Sequence, residues 1–153
     1  MPKWKELLIE ISRIEEKYGS SLRNPALDTE IQKLKENTQK ELGNIHFFES
    51  YIKFLKKANG LDFNGLVVYG VDKILLEKEI DDNIDGFIET NLTWHENDWQ
   101  KQYVFFGDSD TVWYCYDLNK GTWLELDKPS GTVIQSFDNF DSMFDDALET
   151  SLS

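Results

Sequence analysis

Between Trp4 and Tyr18 the apolar residues Trp4, Leu7, Leu8, Ile11 and Ile14 return at three- and four-residue spacing with charge between them, which predicts a surface helix. Gly19 closes it. After a loop from Ser20 to Pro25, Asp28 or Thr29 is placed to cap a second helix, with Ile31, Leu34, Thr38 and Leu42 on one side and Gly43 at its end. A third helix is predicted from about Phe47 to Ala58. It carries Tyr51, Phe54 and Leu55 on one face, turns Lys53, Lys56 and Lys57 to water, and exits through Asn59 and Gly60.

Beyond Gly60 the period changes. Leu66, Val67, Val68 and Tyr69 form a short apolar run bounded by Asn64, Gly65 and Gly70, the pattern of a buried strand. From Lys73 to Asn97 the pattern is mixed: Ile74, Leu75 and Leu76 suit a helical turn, Asp81 to Asp85 a loop, and Phe87 to Trp94 a helix, with boundaries open. Three strands are then predicted in quick succession, Tyr103 to Phe106, Val112 to Asp117 and Thr122 to Leu126, joined by tight turns at 107–110 and 118–121. A fourth, Thr132 to Phe137, follows the turn Lys128, Pro129, Ser130, Gly131, and a helical stripe of Phe140, Phe144, Ala147 and Leu148 ends the chain. Strands joined by tight turns must pair antiparallel, so the fold class is α+β, with the helices expected over one face.

Charge is segregated along this plan. Residues 1–59 hold 11 Lys/Arg against 9 Asp/Glu, whereas residues 60–153 hold 5 against 20. The acidic part also holds 15 of the 21 aromatic residues, so it can build a core and does not read as an acidic disordered tail. A folded domain with such a field draws basic proteins and repels nucleic acid and anionic membrane. At 153 residues one domain, 1–153, is expected. The amphipathic N-terminal stretch is unlike a secretory signal, no segment is apolar for long enough to span a bilayer, and the lone Cys115 suits a reducing compartment, so a cytoplasmic location is expected.

The chemistry-bearing residues are few. Asp108 and Asp110 share one turn, with Asp127 further on, a pairing that suits a hard cation or acid/base work; the same residues are ordinary turn formers, which is the favoured reading. His46 and His95 lack zinc spacing, and Cys115 has no visible base, so a buried thiol is expected. No phosphate-cradling loop, nucleophile elbow or metalloprotease helix occurs; no catalytic residue, metal or cofactor is expected. Trp94, His95, Glu96, Asn97, Asp98 and Trp99 crowd two indoles with acids, which suits either a contact patch or core.

At the junction of the two halves, Tyr51, Phe54, Leu55, Asn59, Gly60, Phe63, Asn64, Gly65, Leu66, Tyr69 and Gly70 spell YxxFLxxxNGxxFNGLxxYG. Further on stand Phe105 to Asp108, Trp113 to Asp117, and Asp127, Pro129, Ser130, Gly131, Phe137 and Phe140. In this order the set resembles the SUKH superfamily of Smi/Knr-type domains over roughly residues 25 to 150. It departs where Leu-Pro often precedes the third helix; here the stretch is Gly43, Asn44, Ile45, His46, Phe47. The resemblance implies a curved antiparallel sheet with N-terminal helices and a C-terminal helix. For bacterial members it implies an immunity protein that neutralises a cognate polymorphic toxin, often a nuclease; fungal members act in cell-wall signalling.

The expectation is therefore a non-enzymatic immunity protein whose partner is a basic toxin domain, with no nucleic acid or membrane bound directly. Its expected toxin-binding residues are Asp81, Asp82, Asp85, Trp94, Asp98, Trp99, Asp108 and Asp110. The alternatives are a scaffold or signalling module, or a metal-dependent hydrolase using Asp108, Asp110 and Asp127.

Overall fold

Hydrophobic periodicity sets the helices. The computed structural model describes residues 2–44, 49–78 and 84–153. In it, α1 runs Trp4–Lys17 and buries Trp4, Leu8 and Ile11, as the spacing requires. Trp4 packs on Phe54 and Phe144 and donates its indole N–H to Asp141 at 2.8 Å, fastening the N-terminal helix to the C-terminal one. Helix α2 spans Asp28–Leu42. Its cap differs from expectation: Leu27 takes the N-cap position, and its backbone N–H is accepted by Glu30, 2.8 Å away. Glu30 is buried because its second oxygen accepts the Glu77 N–H at 2.9 Å, so one carboxylate serves two backbone donors far apart in sequence.

Helix α3 is Glu49–Leu55 and ends before the expected Ala58; its expected start at Phe47, and His46, lie outside the described residues. Tyr51, Phe54 and Leu55 are fully buried, and Lys53, Lys56 and Lys57 are exposed. Among the described residues six strands follow in one open antiparallel meander: β1 Leu61–Phe63, β2 Leu66–Val68, β3 Tyr103–Asp108, β4 Val112–Asp117, β5 Thr122–Asp127 and β6 Val133–Phe137. Sequence reading missed β1, whose Leu61 and Phe63 pair with Val68 and Leu66 around the Asn64 turn. Between β2 and β3 lie a short 3-10 turn, Lys73–Leu75, helix α4, Phe87–Trp94, and a second 3-10 turn, Asp98–Gln100. The last helix, α5, is Phe140–Leu152, capped by the Asn139 side chain on the Ser142 N–H.

The expectation that the helices cover one face does not hold. Phe106 packs on Tyr51, Phe87, Trp123 and Phe140, on the side occupied by α3 and α5. Phe105 instead meets Trp94, His95 and Trp113, on the side reached by the end of α4. The reason lies in the strands: β3 and β4 are apolar and buried at almost every position, so both faces of the sheet need cover. No helix among the described residues is long and apolar enough to cross a membrane.

Candidate functional site

A β-bulge assembles the site. Phe105 pairs with Cys115, but Gly107 pairs with Tyr114, so β3 carries one extra residue between them. Successive side chains alternate between faces, and the extra residue resets the alternation. Asp108 therefore leaves the Phe106 side and stands opposite Trp113, on the face of Phe105. Gly107 permits this, because a Cβ there would lie 2.6 Å from the Val67 carbonyl oxygen.

Helix α4 is held against this face by two polar side chains that composition alone does not single out. Asp72, from the preceding segment, accepts the Ile88 and Glu89 N–H groups at 3.0 and 2.8 Å and so caps the helix from outside; its burial raises its own pKa. Asn91 is fully buried. Its amide accepts the Phe105 N–H at 2.7 Å and donates to the Phe105 carbonyl at 2.8 Å, replacing a neighbouring strand where β2 has ended.

The consequence is an indole cluster around a charged core. The Trp94 N–H donates to the Tyr69 hydroxyl at 3.1 Å, and that hydroxyl donates to the Asp108 carboxylate. Burial, then the Asp108 charge, pushes the Tyr69 phenol pKa well up, which keeps it a donor. Lys128 lies 3.3 Å from the other Asp108 oxygen, donates to the Ser109 carbonyl at 3.0 Å, and sits over the rings of Trp94 and Trp113. Trp113 meets Trp94 and Trp99 edge-on, with centroids 5.5 and 5.7 Å away. Trp99 rests on Gly131, where a Cβ would come within 2.6 Å of the ring, and remains 42% exposed.

The expected residues are thus divided. Trp94, Trp99 and Asp108 come together; Trp94 is half-buried and packs on the core, so the two indoles split between core and surface roles. Asp85 is exposed, and its carboxyl pKa is raised, first by partial burial and then by Asp108, Glu89 and Asp62, with Lys128 opposing. Asp98, beside Trp99 in the chain, pairs with Lys101 at 3.1 Å on open surface. Asp110 is exposed at the β3–β4 turn and faces a separate cleft with Tyr114 and Glu125. Asp81 and Asp82 lie outside the described residues. Sequence reading missed Tyr69, Asn91, Trp113 and Lys128. The available signal was that Lys128 is one of only 5 cations past residue 59.

The arrangement offers little for acid/base work. Asp108 is already engaged by Lys128 and Tyr69, and Asp127 accepts the Ser130 hydroxyl at 2.6 Å. Among the described residues no group of three or more His, Cys, Asp or Glu gathers to hold a metal. Cys115 is fully buried, and burial raises its thiol pKa well up. His95 is half-buried, with its Nε2 2.7 Å from the Tyr103 carbonyl.

What the fold presents is an α+β domain with an aromatic platform on one sheet face, held together by the Asp108–Lys128 pair and exposed at Trp99. The profile of the SMI1/KNR4 family (SUKH-1) matches residues 25–146, and the chain belongs to that family. No curated protein matches the chain.

Proposed function

We propose that this protein is an immunity protein that binds a basic toxin domain, of nuclease type, and silences it by occupying its cleft. SUKH proteins are generally linked to immunity and are typically non-catalytic, which supports the class of function. The observation that carries the reading to this chain is Trp99: a large indole left 42% exposed, seated edge-on against buried Trp113, in a half of the chain with 20 acids and 5 cations. An exposed indole seated on buried aromatic rings is the composition of a binding anchor, and the exposed carboxylates elsewhere on this acidic half speed the approach of a basic partner.

Asp85, Asp98 and Asp110 are the described acids assigned to steering, because each is exposed. Asp108 is assigned to holding the platform, with Trp94. Asp81 and Asp82 keep their proposed steering role on charge alone.

The test is co-expression with the basic C-terminal domain of a large secreted protein encoded by the adjacent gene, scored by pull-down and growth rescue. A complex with rescue is expected. Trp99→Ala should weaken the complex by about 2 kcal/mol, or roughly 30-fold in Kd. Asp85→Lys with Asp110→Lys should slow association and flatten its salt dependence. A complex that ignores all three changes would overturn this surface assignment; a host-protein partner in place of the toxin would favour the scaffold reading.

A further inference from the structure

A second surface lies where α2, the 3-10 turn Lys73–Leu75 and α4 meet. They enclose a cleft of about 640 Å³ with Ile74, Leu75 and Leu92 among its apolar residues. Ile74 is 91% exposed, the most open of the large hydrophobic residues among those described, and Leu92 is 41% exposed. A single exposed aliphatic residue carries no meaning, but two that share one concavity, with Leu75 packed behind them on the core, make a groove. Its rim is acidic: Glu41 comes from the last turn of α2, and Glu89 and Glu96 from either end of α4 and just beyond it. Lys73 is the one cation among its described lining residues.

We infer that this groove docks an amphipathic helix of a partner protein, with apolar residues seated on Ile74 and Leu92 and Lys or Arg side chains reaching Glu41, Glu89 and Glu96. Charge complementarity selects this occupant. The chain's net charge of −13 and the acidic rim repel an anionic membrane, whereas a helix with basic flanks meets both the exposed apolar residues and the acidic rim. Two walls made by helices leave a trough into which a third helix packs by ridges and grooves. The inference rests on the reading of this protein as a binder of basic proteins and adds a second contact to it, on residues that the indole cluster does not use.

The experiment is a fluorescence-anisotropy titration of the whole chain with a labelled peptide of about 16 residues, roughly 24 Å of helix, carrying Leu at one-face spacing and Lys/Arg elsewhere. A scrambled peptide of equal composition is the control. The amphipathic peptide should bind about tenfold tighter than the scrambled one, a difference of ~1.4 kcal/mol. Ile74→Asp and Leu92→Asp should each remove that difference while leaving the melting temperature in place, since both side chains stand at the surface. Equal binding of the two peptides, or unchanged binding by both variants, would overturn the proposal. So would a wild-type dimer in sedimentation that Ile74→Asp converts to monomer, because a second copy would then be the occupant. The titration contains no toxin, so its failure leaves the immunity reading untouched, and a missing toxin complex beside a positive titration removes that reading alone.

Discussion

Asn91→Ala tests how the site is held. The side chain is fully buried and meets both backbone groups of Phe105, itself fully buried, at 2.7 and 2.8 Å, as well as the Phe87 carbonyl at 2.8 Å. Phe87 keeps its place in the helix after truncation, but the Phe105 N–H and C=O lose their partner in a region without solvent. At about 1–3 kcal/mol for each stranded group, the change should cost roughly 2–6 kcal/mol. With about 2–4 °C per kcal/mol for a chain of this size, a central loss of ~4 kcal/mol lowers the melting temperature by roughly 8–16 °C.

Urea unfolding followed by tryptophan emission reads this directly, with an unchanged m-value expected. Asn91→Asp sharpens the test. It keeps the acceptor for the Phe105 N–H but sets a carboxylate against two carbonyls, so its folded-state pKa rises above the unfolded value of about 3.9. A raised carboxyl pKa contributes stability at low pH that is lost as pH rises through the folded value. The Asn91→Asp deficit, measured against wild type at each pH, should therefore shrink on acidification, while the Asn91→Ala deficit stays level. A cost below about 1 kcal/mol for Asn91→Ala, or identical deficits for both variants at every pH, would refute the strand-replacement role.

Three further outcomes follow from the same geometry. Lys128→Met leaves Asp108 without its cation in a site where the two side chains are only 23% and 14% exposed, and should cost about 2–3 kcal/mol; adding Asp108→Asn should recover part of it, and strict additivity would refute the coupling. Tyr51, Tyr69 and Tyr114 have phenol pKa values raised mainly by burial, so they should stay protonated in alkaline absorbance titration until the protein unfolds. Their sign is that of a raised acid: stability present below about pH 10 and lost above it, where the unfolded chain ionises. Cys115 should resist a thiol reagent in the native protein and react once urea unfolds it; prompt native reaction would contradict its burial.

Most elements were legible because their signals are local. Helical spacing from Trp4 to Ile14 and from Ile31 to Leu42, and the turns at 107–110 and 118–121, are sums over neighbours in the chain. The N-cap of α2 was less so, because Glu30 acts as a cap through Leu27 and a remote contact at Glu77 rather than through the favoured cap residues. β1 was missed because a three-residue strand gains its identity only from pairing with β2.

The sequence by itself determined an acidic, aromatic-rich α+β chain, the antiparallel meander of its later strands, and the family motif that runs from Tyr51 to Gly70. Charge totals, turn residues and periodicity survive any arrangement of the elements. Only the tertiary structure decided which face each site residue occupies. Strict alternation would put Asp108 beside Phe106, and the single extra residue in β3 moves it to Trp94, Trp113 and Lys128. Likewise Ile74, Leu92 and Glu41, spread over 51 positions, become one groove only when α2 and α4 pack. Such relations depend on contacts between distant segments, and no property of either segment alone contains them.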